Sequence, residues 1–311
     1  MTSFAIIGTG AVGGFYGARL HRAGRDVHFL LHGDYEHVRA HGLRIDSKEG
    51  DFTLPTVQAY RDASAMPACD VVIVALKPCA NTILPKILPQ VTRPGSCVVL
   101  LQNGLGAETY VSSIVPECHI LGGLSFLCSN KVGPGHIHHL DYGRIALGHY
   151  RPGGKPGGTT EQMRSIAAHF EAANIPISLI DDLTLARWMK LVWNIPFNGL
   201  TVALNTTTDR LIRNPDTLDL ARALMQEVVA GAAALGRTIP NAFVEKMISD
   251  TVGMAPYRPS MKLDYDLGRP METDSIYAEP LRQAEAAGVT LPRTRALCQI
   301  LKFMEQQRAS S

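Results

Sequence analysis

An apolar run at residues 4–7 breaks into Gly8-Thr9-Gly10-Ala11-Val12-Gly13, and an amphipathic stretch at 13–22, closed by Gly24, follows it. Few folds accept a strand, a GxGxxG turn and a helix in that order. The first glycine permits the tight turn, the second lets the backbone approach a pyrophosphate, and the third lets the helix pack on the strand. The exposed N–H groups at the helix start then bind phosphates. Gly24 suits the residue just past a helix end. A second apolar run at 27–31 completes a strand–helix–strand unit, and such units build parallel sheets through right-handed crossovers. Buried-strand runs at 71–76 and 97–101, with a helix around 81–88 between them, extend the pattern. The expected fold class is α/β, with an N-terminal Rossmann-type doubly wound sheet. A glycine-rich turn gives the same hexamer by chance, so its context decides. With a strand before it and a helix after it, Gly8, Thr9, Gly10, Ala11, Val12 and Gly13 become candidate contacts to a dinucleotide.

A chain of 311 residues exceeds the usual size of one hydrophobic core, so two domains and a cleft between them are expected. Residues 43–46 and 52–54 flank Glu49-Gly50-Asp51 and read as a hairpin, and a second hairpin is expected within 136–147. The glycine- and proline-rich stretch 151–158 cannot hold regular structure and reads as an exposed loop. One more helix (161–173) and strand (175–180) follow it, so the boundary falls near Asp181. Residues 1–180 form the expected dinucleotide-binding domain and 181–311 a helical substrate domain. Its apolar spacing is helical almost throughout, with Ala-rich segments at 218–235, 274–287 and 293–304.

Lys and Arg (30) nearly balance Asp and Glu (28), which speaks against a nucleic-acid-binding or membrane-binding surface and for a small-molecule partner. The six cysteines are scattered without a CxxC pair and read as reduced core residues. No segment reaches the roughly 18 apolar residues of a membrane span, and no positive leader opens the chain, so a cytoplasmic protein is expected. His136, His138 and His139 invite a metal reading, but neighbours on a strand point to opposite faces and no ligand set completes a site. No metal is expected.

Folds specific for NAD usually carry Asp or Glu at the end of the second strand to hold the ribose 2′-hydroxyl. This chain has Leu30-Leu31-His32-Gly33 there. A 2′-phosphate is then tolerated, and His32 could donate to it, fully so when protonated. The alternative for His32 is a solvated strand end. NADP is the expected cofactor and NAD the disfavoured one.

Lys190 and Asn194, in Trp188-Met189-Lys190-Leu191-Val192-Trp193-Asn194, are four apart and project from one face of a helix. Asn198 lies about 12 Å from Lys190 along the axis, unless Pro196 kinks or interrupts the helix. Taken alone, Lys190 reads as a surface lysine with its stem laid on apolar residues. Read in order, however, the N-terminal GxGxxG, Lys77 after Val-Ala-Leu, Gln102-Asn103-Gly104, the Trp-x-Lys-Leu-x-x-Asn segment and the Ser260-Met261-x-x-Asp264…Glu272-x-Asp274 segment resemble the ordered motifs of ketopantoate reductases. They span nearly the whole chain.

The resemblance implies that Lys190 is the proton donor and that Glu272 helps to hold substrate and cofactor. It implies that Asn103, Asn194, Asn198 and Ser260 bind substrate, with Asn103 and Lys77 beside the cofactor. The residue types suit that chemistry. Hydride delivery to a ketone develops negative charge on oxygen, which an ammonium stabilises and protonates, while amides and a hydroxyl fix the neighbouring carboxylate. Glu272 would keep the lysine protonated or orient it. The chain departs from the family at His32, where arginine is common, and near Thr208, where some members carry a substrate-binding asparagine. The expected activity is NADPH-dependent reduction of 2-dehydropantoate to pantoate, a step in pantothenate and coenzyme A biosynthesis. The rivals are reduction of another small 2-keto acid or carbonyl compound, and a dinucleotide sensor without turnover. The apolar helical faces make a homodimer a further expectation.

Overall fold

A computed structural model describes residues 1–309. It divides into two compact units, one formed by residues 1–102 and 107–183, the other by residues 103–106 and the chain from Thr184 onward.

The first unit is built on one mixed sheet. Its strands are β1 (Ser3–Ile7), β2 (Asp26–Leu30), β3 (Leu43–Ser47), β4 (Phe52–Leu54), β5 (Gln58–Tyr60), β6 (Val71–Val74), β7 (Cys97–Leu100), β8 (His119–Gly133), β9 (His136–His149) and β10 (Ile177–Ile180). Six of them, in the order β8-β7-β6-β1-β2-β5, run parallel. Both faces of this block are covered. Phe4, Ile6 and Ile73 pack into one core with Phe15, Tyr16 and Phe29, while Ala5, Ile7, Val72 and Val74 pack into another with Leu84 and Leu88. Strands buried on both faces read as continuous apolar runs, which is why they stand out in the sequence. β9 returns antiparallel to β8, and its other edge is shared, first by β3 at Arg44–His136 and then by β10 at Ile177–Ile145.

The hairpin of β3 and β4 forms where the Glu49-Gly50-Asp51 turn predicts it. The second hairpin does not lie within 136–147. It joins β8 to β9 through Pro134 and Gly135, and residues 136–149 form one strand. Tyr142 (φ 63°) and Gly143 (φ 137°) turn the backbone left-handed, but the ladder takes this up as a register shift opposite Phe126 and Leu127. A β-bulge bends a strand without reversing it. In the 151–158 loop one short 3₁₀ turn, Pro152–Gly154, does form. The backbone N–H groups of Gly157 and Gly158 both donate to the Asp181 carbonyl, at 3.0 Å each.

The second unit is helical. Its longest helix, Leu183–Ala203, passes through Pro196 as one assigned element, where the sequence suggests a kink or a break. Trp188, Val192, Ile195 and Phe197 around it are fully buried, and Tyr277 Oη donates to the Ile195 carbonyl at 2.8 Å. Packing thus holds the turn that proline weakens. The helices Pro215–Ala234 and Pro292–Ala309 complete the core through Leu224, Val228 and Leu301. Between them a π-turn, Asp274–Ala278, leads into the helix Glu279–Ala286. Among the described residues no helix is long and apolar enough to cross a membrane.

Candidate active site

In the first unit, β1 delivers the chain into the glycine loop and the helix Ala11–Arg22 carries it away. Two of the glycines are required by the protein itself. Gly8 is left-handed (φ 99°), and a Cβ there would lie 2.7 Å from the Leu76 backbone nitrogen. A Cβ at Gly13 would lie 2.2 Å from the Gly8 carbonyl oxygen and 2.9 Å from Ala75 Cβ. Gly10 is different. Its φ of −89° suits any residue, and a Cβ there meets no atom within 4 Å. Open space before the start of a helix, at a residue the fold does not oblige to be glycine, fits a dinucleotide pyrophosphate. The Thr9 hydroxyl donates to the Leu30 carbonyl at 3.0 Å and so ties the loop to the end of β2.

Beyond β2, Leu31 is buried and His32 and Gly33 are exposed. The next carboxylate, Asp34, is engaged by the Gly135 N–H at 2.8 Å and by Lys131 at 2.5 Å. Lys77 is half-buried and precedes the 3₁₀ turn Pro78–Ile83 after β6. Ala11 and Val12 open the helix, half-buried. Gln102 donates to the Leu76 carbonyl at 2.8 Å and to Asn81 Oδ1 at 2.7 Å, which fixes the chain just ahead of Asn103.

In the second unit, three residues distant in sequence form one hydrogen-bonded chain. Lys190 Nζ donates to Asn103 Oδ1 at 3.0 Å, and Asn103 Nδ2 donates to Glu272 Oε2 at 3.1 Å. The amide therefore stands between the ammonium and the carboxylate. Glu272 is buried, and Lys190 and Asn103 are half-buried. Asn194 and Asn198 follow Lys190 along its helix, both buried. Asn198 Oδ1 accepts from the Met261 N–H at 3.3 Å, so its amide is held beside Ser260, which is exposed. Thr208 is fully buried, its N–H donates to the Tyr257 carbonyl at 3.1 Å, and its hydroxyl has no partner.

Burial pulls the Lys190 ammonium down from its ordinary value to about 7. The Arg187 guanidinium pushes the same way, and Glu272 opposes both. Arg187, nearly buried, lies one turn before Lys190. The sequence reading missed it, though a charged residue flanking Trp188 in an apolar helix was a usable signal. A lysine that titrates near neutrality is suited to exchange a proton with a reacting oxygen.

The three histidines take separate partners. His136 bonds Asp46 at 2.7 Å, buried His139 bonds Ser47 and the Tyr142 carbonyl at 2.8 Å each, and His138 is exposed. Among the described residues no group of three or more His, Cys, Asp or Glu is placed to hold a metal. Among the described residues no cysteine is held in a disulfide. Cys69, Cys97 and Cys298 are buried, but Cys79 is exposed rather than part of the core.

A glycine-loop sheet joined in one chain to a helical unit holding a half-buried lysine that titrates near neutrality is the build of a dinucleotide-dependent oxidoreductase. Residues 4–152 match the family model described as ketopantoate reductase PanE/ApbA, and residues 182–305 match its C-terminal model. The chain belongs to the ketopantoate reductase family. The 2-dehydropantoate 2-reductase of Nostoc sp. is 54% identical over 97% of this chain and 95% of its own length. Among solved structures, 2-dehydropantoate 2-reductase from Geobacter metallireducens GS-15 is 40% identical with a TM-score of 0.91, covering 96% of this chain and 99% of its own. That from Methylococcus capsulatus is 34% identical with a TM-score of 0.91, covering 99% and 98%.

Proposed function

We propose that this chain reduces 2-dehydropantoate to pantoate with NADPH, a step towards pantothenate and coenzyme A. The observation that carries the reading is the Lys190–Asn103–Glu272 chain in a protein 54% identical to a 2-dehydropantoate 2-reductase. The Gly8–Gly13 loop, Lys77, Asn103 and Glu272 would hold NADPH, which would supply the hydride when bound. Lys190 Nζ stabilises the alkoxide that forms at the substrate C2 oxygen and gives it a proton, which solvent then restores. Asn103 aims Lys190 and relays the influence of Glu272. Asn194, Asn198 and Ser260 offer neutral donors to the substrate carboxylate.

The preference for NADPH rests on the end of β2, where His32 is exposed and the next carboxylate along the chain, Asp34, is engaged by Lys131 and Gly135. We place the enzyme in the cytoplasm, where cysteines outside disulfides stay reduced, and as a homodimer, which sedimentation of the purified protein would measure. The deciding experiment follows NADPH oxidation with ketopantoate and a panel of branched and linear 2-keto acids. Ketopantoate should have the highest kcat/KM. A higher value for another acid would replace the substrate, and cofactor binding without oxidation on any acid would make the protein a sensor.

A further inference from the structure

Gln102-Asn103-Gly104 brings Asn103 to the site, and the two residues after Asn103 leave no room against the chain they face. Gly104 is left-handed (φ 81°), and a Cβ there would lie 2.2 Å from the Ser275 carbonyl oxygen and 2.4 Å from its carbonyl carbon. The Leu105 N–H donates to that same oxygen at 3.0 Å. Ser275 belongs to the π-turn Asp274–Ala278, and π-turns inside helices are frequent at functional sites. The turn also holds Glu272, because Ser275 Oγ donates to the Glu272 carbonyl at 3.3 Å and the Ile276 N–H donates to it at 3.0 Å. Asn103 to Glu272 and Leu105 to Ser275 are thus two parallel links between the same two pieces of chain.

We infer that Gly104 and Ser275 are positioning residues that seat the Asn103 amide between Lys190 and Glu272 by clamping the chain against the π-turn. The inference rests on the proposed reduction. An ordinary carbon–oxygen contact needs about 1 Å more room than a side chain at Gly104 would find. A retreat of that size stretches the 3.0 and 3.1 Å bonds of Asn103 beyond hydrogen-bond range. Misplacing a catalytic array by about 1 Å slows its reaction about 100-fold. Gly106 is the internal control. It is also left-handed (φ 91°), but the three atoms nearest its Cβ all belong to the Glu279 side chain, from 3.2 Å, which can move aside.

The test measures single-turnover NADPH oxidation, cofactor affinity and thermal unfolding on the full chain, beginning with wild-type turnover of ketopantoate. A failure of the proposed function shows in that first measurement, and a failure of this inference only in the variants. Gly104→Ala should lower the rate about 100-fold and leave NADPH affinity within about 3-fold, while Gly106→Ala stays within about 3-fold of wild type. On an Asn103→Ala background Gly104→Ala should change the rate by less than about 3-fold, because the group it displaces is already gone. A destabilisation that is merely structural would leave no such coupling. A wild-type rate in folded Gly104→Ala, or a full loss persisting on the Asn103→Ala background, overturns the inference. If Gly104→Ala does not fold, Ser275→Ala decides, since it loosens the turn without a clash. It should slow the step about 5-fold, in line with one neutral hydrogen bond, and only when Asn103 is present. An effect independent of Asn103, or none, overturns the inference equally.

Discussion

Lys190 gives the sharpest prediction because burial sets it against its own charge. In the folded protein its ammonium titrates at about 7 rather than 10.5, so between those values the unfolded chain binds more protons. Stability should therefore rise with pH across that window, and below it the penalty for the buried charge is fully present. The full separation corresponds to about 5 kcal/mol at 1.4 kcal/mol per tenfold. The side chain is only half-buried, which reduces this to about 2 kcal/mol. Lys190→Met should accordingly be more stable than wild type near pH 6 and unfold at a higher temperature, the gain staying below about 2 kcal/mol because Asn103 Oδ1 loses its donor. The same variant should lose about 10²–10⁴ in the chemical step, as expected when a proton donor is removed. In wild type, kcat/KM for the keto acid should fall about tenfold per pH unit above about 7, as the acid form of Lys190 disappears. Arg187→Gln should move that midpoint up and Glu272→Gln should move it down, since their charges act on Lys190 in opposite senses. Stopped-flow single turnovers and thermal scans on the same preparations test both halves. A flat profile from about pH 6 to about pH 9, together with a wild-type chemical step in Lys190→Met, would refute the reasoning. If Lys190 only braces the fold, its loss would instead lower stability and spare the chemistry.

Gly10→Val should weaken NADPH binding more than tenfold, or roughly 1.4 kcal/mol, and leave thermal unfolding nearly unchanged, because the new side chain enters space the protein does not use; calorimetric titration with unaltered affinity would count against the loop. His32→Asp should turn the preference towards NADH by placing a carboxylate where the 2′-phosphate is expected, and steady-state kinetics with both cofactors would reveal an unchanged ratio if His32 lies elsewhere. Glu227 accepts from the N–H groups of Arg293 and Thr294 and from the Thr294 hydroxyl, at 2.8–2.9 Å, at the start of the last helix. Glu227→Ala should cost about 2–3 kcal/mol, measurable by urea unfolding.

The parallel strands and the glycine loop were legible because each depends on local pattern, an apolar run or a fixed spacing of small residues. The second hairpin was misplaced because residues 136–149 form one strand whose partner lies upstream, and only that partner shows that the bend at Tyr142 and Gly143 is a bulge. At the candidate site, residue types could be read and partners could not. The resemblance implied that Glu272 acts on Lys190, but not that an amide from residue 103 stands between them. The engagement of Asp34 by Lys131 and Gly135 was equally hidden, since it joins positions about a hundred residues apart. Arg187 was overlooked because it stands one residue ahead of the Trp188-to-Asn194 motif on which the reading rested.

Because the helical unit is assembled from two separated stretches of chain, it is not a module that a gene could pass on whole. A fragment beginning at Thr184 would contain Lys190, Glu272 and the π-turn, yet the Ser275 carbonyl would lack the Leu105 donor and the lysine would lack its amide. During synthesis residues 103–106 leave the ribosome long before the helices that receive them, and must stay uncommitted until then. Recombination between relatives is constrained in the same way. A crossover near residue 183 keeps both backbones intact but pairs residues 103–106 of one parent with the π-turn of the other, so chimeras should fold more often than they turn over.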